Sequence, residues 1–289
     1  MSLPDLHDAA LVLLAHGSTK NAESATPTFQ QGDRLRSRGI FAEVTEAFWK
    51  QEPFVAGVLR RVFAPRVFLL PVCIAGGWFT ERVLPLALGL REPGAGTYPR
   101  IQSRGAQTLF YCEPVGSHPA MTGVLQARAR EIVARHPFPR APRPTETALL
   151  IAGHGTAYSR GSRDAIEAQV HRLREMDAYA EVHAVFLEEA PFVADAWKLT
   201  TARNLVVVPY FISDGLHVAE DIPVMLGAPT VAVRERLRAG QPPWRNPTAR
   251  EGRRLWLAGA VGSEPLVADV ILERVREAAG QISSGGPTG

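Results

Sequence analysis

Apolar positions along the chain fall into two patterns. Short continuous runs, LVLLA at 11–15, VFLLPV at 67–72, LLIA at 149–152 and LVVV at 205–208, are bounded by glycine or polar residues and predict strands covered on both faces. With their weaker companions they place strands near 11–15, 42–49, 66–73 and 108–113, and again near 148–152, 181–187, 204–211 and 255–260. Between them, apolar residues recur at helical spacing over 23–38, 53–63, 78–90, 118–135, 161–178, 191–202, 216–227 and 264–279. Pro53, Pro119, Pro191 and Pro265 stand where a first helical turn would begin, a position that tolerates the missing N–H. Strands alternating with helices predict right-handed crossovers and a parallel sheet.

The pattern runs through the chain twice. LVLLAHGS (11–18) returns as LLIAGHGT (149–156), AEVTEAFWKQEPFVAGV (42–58) as AEVHAVFLEEAPFVADA (180–196), and PVCIAGGWFTERVLP (71–85) as PYFISDGLHVAEDIP (209–223), all at one offset, that of His16 from His154. YCEPVGSHP (111–119) matches LAGAVGSEP (257–265) at a longer offset, so the second half carries an insertion between Pro223 and Val261. HPFPRAPRPTE at 136–146 is a proline-rich connection of the kind that separates domains. The expected organisation is therefore α/β, two tandem similar domains at 1–138 and 147–280, each a mainly parallel four-stranded sheet flanked by helices, with a linker at 139–146 and a disordered tail at 281–289.

Composition narrows the function. With 289 residues and 46% hydrophobic content the chain can bury a sizeable core. Neither a secretory leader nor an apolar run of membrane-spanning length is visible, which gives the expectation of a cytoplasmic protein with no membrane partner. Cys73 and Cys112 lie in separate apolar runs and read as buried thiols. The net charge is +3, and the only lysines are Lys20, Lys50 and Lys198, so arginine supplies nearly all positive charge and suits carboxylate or phosphate contacts. The single basic concentration, Arg234–Arg254, lies in the insertion and is broken by Glu235 and Glu251. It reads as a solvated loop or a substrate-facing one, with no nucleic-acid partner expected. GAGT at 94–97 lacks the following Lys-Ser/Thr of a phosphate loop, which argues against nucleotide chemistry.

The duplication lets one half be read against the other. The first strand of each half ends in His-Gly, at His16-Gly17 and His154-Gly155. The second ends at Lys50 in one half and Glu188 in the other, and the loop after the third offers Phe79 in one half and His217 in the other. Open α/β sheets place ligands at the carboxyl ends of their strands. The second half thus gathers His154, Glu188 and His217 at three strand ends, whereas the first keeps only His16. Any one of these would be an ordinary structural side chain; three together suit a divalent first-row ion with open positions for substrate. Glu220 and Asp221 read as acids favouring a helix N-terminus, and Trp78 as core packing rather than a stacking wall. His118 reads as a surface or capping residue, and His171 and His183 have no partner spacing.

HGT at 154–156, FLE at 186–188 with Pro191 after it, and PYFISDGLHVAEDIP at 209–223 together resemble the sirohydrochlorin cobaltochelatase family of class II tetrapyrrole chelatases, over nearly the whole chain as two tandem chelatase-like domains. The resemblance implies domains facing a central cleft where a tetrapyrrole and a metal ion meet. It implies that His154, His217 and Glu188 are the metal-binding and catalytic residues, and that the first half, with Phe79 and Lys50 at the matching positions, is degenerate. The implied activity is insertion of a divalent metal, Co²⁺ favoured and Fe²⁺ or Ni²⁺ also possible, into sirohydrochlorin or a related tetrapyrrole for cobalamin or siroheme synthesis. No permanent cofactor is implied, the metal being a substrate, and a monomer would suffice because both repeats share one chain. A non-catalytic metal or tetrapyrrole carrier with the same fold is the alternative. The arginines of 234–254 are then a candidate clamp for ring carboxylates.

Overall fold

The computed structural model describes residues 5–155 and 160–284. Thr156, the last residue of the HGT motif, and residues 285–289 of the expected tail lie outside that range. In chain order the first repeat forms β1 (Ala9–Ala15), α1 (Thr26–Ser37), β2 (Glu43–Phe48), β3 (Arg66–Pro71), α2 (Leu84–Ala87), β4 (Ile101–Arg104), β5 (Gln107–Tyr111) and α3 (Met121–Arg135). The second forms β6 (Thr147–Gly153), α4 (Gly161–Glu175), β7 (Glu181–Phe186), β8 (Asn204–Pro209), α5 (Ile222–Met225), α6 (Thr230–Arg238), β9 (Thr248–Arg250), β10 (Arg253–Leu257) and α7 (Val267–Ser284). Residues 281–284, expected in the tail, thus continue the last helix.

Each sheet has five strands rather than the expected four, in the orders β2-β1-β3-β5-β4 and β7-β6-β8-β10-β9. Four are parallel, and the added edge strand is antiparallel to its neighbour. The β9–β10 connection is the two-residue turn Glu251-Gly252, with φ of 51° and 75°, the doubly positive geometry that matches strand twist in a tight hairpin. Residues of β1 and β6 are buried throughout, as expected of central strands covered on both faces.

Two predicted helices do not form as such. After β2 and β7 the chain turns back, Phe48 N–H donating to the Pro53 carbonyl and Phe186 N–H to that of Pro191, each at 2.8 Å. Only the short turns Val58–Arg61 and Val193–Asp195 are helical there. The apolar spacing reflects burial of Val55 and Val58, and of Val193 and Ala196, against one sheet face. Pro53 and Pro191 therefore shape strand-end turns, while Pro119 and Pro265 stand two residues before α3 and α7 rather than within their first turns.

The sequence repeats and the compact units are not the same partition. One unit comprises the described residues up to His118 together with those from Pro265, and the other runs Pro119–Glu264. The repeats end in α3 and α7, but α3 packs on β8 and β10 with α4, and α7 packs on β3 and β5 with α1. Each sheet is covered by the final helix of the other repeat. Arg274 on α7 fixes the first unit, donating to the Pro114 carbonyl at 3.0 Å and to Ser117 Oγ at 2.7 Å. His118 meets Glu277 of α7 at 3.3 Å.

His118 also gives a pH dependence. Burial first, and then Arg274, push its imidazole below the usual histidine range, against the pull of Glu277 and Glu273. The unfolded chain therefore binds this proton at a higher pH than the native one, so stability falls as pH drops from about 6.5 through the lower native value. His118→Gln is expected to flatten that loss, measured as the difference in urea unfolding free energy between pH 7.5 and pH 5.5.

Candidate functional site

The parallel strand order reverses at β6, whose neighbours β7 and β8 follow it on opposite sides. The carboxyl ends of the strands at such a switch point border the crevice where open α/β sheets bind ligands. His154 and Gly155 follow β6 directly. Gly155 has φ +64°, and a Cβ there would lie 2.8 Å from Glu189 Cγ and 2.9 Å from Phe186 Cβ, so both conformation and space require glycine. The turn brings His154 Nδ1 to 2.8 Å from the Gly155 carbonyl. A carbonyl only accepts, so Nδ1 carries the proton and neutral His154 leaves its Nε2 lone pair free.

His217 starts the segment after β8. Its carbonyl accepts from Ile222 N–H, five residues on, so His217–Asp221 is one wide helical turn before α5, a departure from regular helix that often marks functional sites. Within it, His217 Nδ1 lies 2.7 Å from Asp221 Oδ2. The carboxylate fixes the Nδ1–H tautomer, again leaving Nε2 free, as the carboxylate partners of metal-bound histidines do. Glu220 instead pairs with Arg234 at 2.6 Å.

His154 links the group. Its ring is perpendicular to that of His217, with centroids 4.9 Å apart, and its Nε2 is 3.7 Å from Glu188 Oε1. That gap is too long for a hydrogen bond and shorter than the ~4 Å that two metal–ligand bonds can span. Among the described residues no three His, Cys, Asp or Glu side chains close into a metal-holding group; the three predicted residues meet as two pairs sharing His154. His217 and Glu188 are exposed and His154 half-buried, so the donors are open to an incoming ion. The Asp221 contact was not expected from the sequence, although its four-residue spacing from His217 was available as a signal.

The same edge of the first unit differs. His16 Nδ1 lies 2.8 Å from the Gly17 carbonyl, and Gly17 has φ +65°, so this turn is retained. Around it, however, stand Trp49, Phe79, Trp78 and Lys50. Trp78 is 61% exposed, which overturns its reading as core packing.

The basic stretch is not one loop. Arg234, Arg236 and Arg238 lie on α6, Arg250 ends β9, and Arg253 and Arg254 begin β10. Arg253 donates to the carbonyls of Trp197, Thr200 and Ala202, a structural role. Arg236, Arg245 and Arg250 line a cavity of 930 Å³ together with Trp197 and Trp244. Of the other candidates, Cys112 is buried and Cys73 half-buried, and burial pushes both thiols up to about 12, so they stay protonated. His171 and His183 pair with the nearby Glu175 and Glu181. No helix of the described residues is long and apolar enough to cross a membrane.

The duplicated sheets and the histidine-bearing strand ends define a chelatase-like protein. The CbiX family model matches residues 10–132 and 148–278, one match per repeat, and the chain belongs to that family of metal chelatases. A probable sirohydrochlorin cobaltochelatase of Halobacterium salinarum is 38% identical over 279 residues, covering 93% of this chain and 91% of its own. Among solved structures, a multi-domain protein of Deinococcus radiodurans described as structurally similar to chelatases is 31% identical with a TM-score of 0.75, over 96% of this chain and 55% of that one. SirB from Bacillus subtilis, solved with Fe³⁺, shares the fold at a TM-score of 0.64 and 18% identity, over 95% of this chain and 97% of its own.

Proposed function

We propose that this chain inserts a divalent metal ion, Co²⁺ by preference, into sirohydrochlorin or a closely related tetrapyrrole, on the route to cobalamin or siroheme. The observation that carries the reading is the pair of imidazoles at the β6 and β8 ends, each with Nδ1 committed to an acceptor and Nε2 free. The relative named for this activity, at 38% identity over most of both chains, supports the substrate class. The proposal includes a monomeric, cytoplasmic enzyme.

Insertion exchanges two inner N–H protons of the ring for the metal. The site therefore needs a weak metal hold that can be surrendered, and bases beside the ring. The Nε2 atoms of His154 and His217 can do both, in succession: they bind the ion as neutral donors, then accept protons once the ion has passed to the ring. Glu188 is the third donor or proton acceptor, and Asp221 steadies the His217 imidazolium that forms. The ion is a substrate throughout.

The test is an insertion assay with metal-free sirohydrochlorin and Co²⁺, Ni²⁺ or Fe²⁺, following the ring absorbance. A wild-type rate no faster than the uncatalysed one, with both ligands bound, would return the protein to the carrier reading. Asp221→Asn is expected to lower the initial rate about tenfold, and Asp221→Ala up to about a hundredfold, in the range seen when a carboxylate behind a ligating histidine is removed. Equal rates for wild type and both variants would show that Asp221 only caps the turn.

A further inference from the structure

The edge of the first unit that matches the histidine site has been rebuilt rather than merely emptied. At the matched positions Leu187, Glu188, Leu216 and His217 are answered by Trp49, Lys50, Trp78 and Phe79, while His154 keeps its counterpart His16. Two of the four changes install an indole, one replaces an imidazole with a phenyl ring and one reverses a charge. The rings form one connected cluster. His16 lies 5.1 Å from Trp49 and 5.2 Å from Phe79, and Trp49 lies 5.7 Å from both Trp78 and Phe79. These are tilted and edge-to-face contacts at ordinary aromatic separations, so each ring holds its neighbour's orientation. Lys50 Nζ sits 3.6 Å over the Trp49 ring, and no carboxylate of the described residues pairs with it.

Packing does not account for the cluster. Trp78 is 61% exposed, and Leu216, at the same place in the second repeat, is 68% exposed, so this position faces water in both units whatever its side chain. A tryptophan there adds a large flat surface with little burial to reward it. Phe79 alone of the three packs against the hydrophobic core.

We infer that His16, Trp49, Trp78, Phe79 and Lys50 form a stacking platform for one face of a planar, conjugated, polycarboxylated tetrapyrrole. The exposed indole supplies the flat apolar contact, and the Lys50 ammonium, held over Trp49, supplies a cation for a peripheral carboxylate. This rests on the proposed function for the identity of the ring, and it gives the first unit a binding role of its own, beside the ion and proton chemistry proposed for the second. A nucleotide base could stack equally well, but its phosphates call for several cations, and Lys50 is the single one in the cluster.

The test separates binding from insertion. Metal-free sirohydrochlorin is titrated into full-length protein without metal, with binding read from the shift in ring absorbance. Trp78→Ala is expected to weaken binding and raise KM about 5–100-fold, the range for loss of one stacking aromatic, with kcat changed less than about threefold. Trp78→Phe should restore most of the affinity, and Lys50→Gln should weaken binding and reduce its salt sensitivity. His217→Ala should bind the ring as wild type does while losing turnover. Unchanged affinity and KM in Trp78→Ala would overturn the platform, as would equal competition by adenosine monophosphate. Trp78-dependent binding in a wild-type protein that inserts no metal would uphold the platform and sink the proposed function instead.

Discussion

Replacing His217 with alanine is expected to lower kcat/KM for metal insertion by about 10²–10⁴, the contribution typical of a positioned acid–base residue. The loss should come without unfolding. His217 is exposed, while the core contribution of its turn comes from the neighbouring Val218, which is 5% exposed, and from Ile222, which is fully buried. The first repeat holds Phe79 at the matching place in the same wide-turn geometry, so the backbone does not depend on an imidazole. His154→Ala should be as damaging, because His154 is the member shared by both pairs of the site. The comparison is His16→Ala, expected to raise KM through the platform but to leave kcat nearly unchanged, measured in the same steady-state assay alongside thermal unfolding. If it proved as costly to kcat as His217→Ala, the assignment of chemistry to the second repeat would be wrong.

The largest effect on stability is expected at Trp256. It is fully buried on β10, on the sheet face opposite that of Leu255 and Leu257, and its Nε1 donates to the His136 carbonyl just beyond α3 at 2.9 Å. Trp256→Ala removes the largest fully buried side chain among the described residues and leaves that carbonyl without its donor, for a loss of about 3–5 kcal/mol in urea unfolding. Trp256→Phe keeps most of the volume and should lose less, which separates packing from the hydrogen bond. A loss below about 1 kcal/mol in the alanine variant would mean that α3 is not anchored through this residue.

Much of this was legible in the sequence, for identifiable reasons. The parallel strands were visible because burial on both faces leaves continuous apolar runs such as LVVV. Strands β4 and β9, four and three residues long, were invisible because edge strands so short and so little buried carry no alternation. Segments 53–63 and 191–202 read as helices because residues packing on a sheet from a turn can mimic helical spacing. His154, Glu188 and His217 were singled out as candidates because the duplicate half shows which positions the fold leaves free. Asp221 was not, since an acid in a first helical turn has an ordinary electrostatic explanation, and only the three-dimensional turn reveals the imidazole above it. Trp78 was misread for the related reason that sequence gives a side chain's apolarity but not its exposure. Which sheet each final helix covers was beyond reach, because α3 and α7 follow equivalent strands and only non-local packing decides between them.

That exchange of final helices has a consequence for how the protein is made. On the ribosome, the first sheet is complete once residue 111 has emerged, yet the face bearing Phe68 and Phe110, whose rings stack at 4.6 Å, waits for α7 at residues 267–284. The second sheet has no such delay, since α3 precedes it in the chain. The unit begun first is thus finished last, and its apolar face stays open through the synthesis of the whole second repeat. Cutting the gene at the proline-rich linker would not yield two independent domains; it would strand each sheet without the helix that belongs to it.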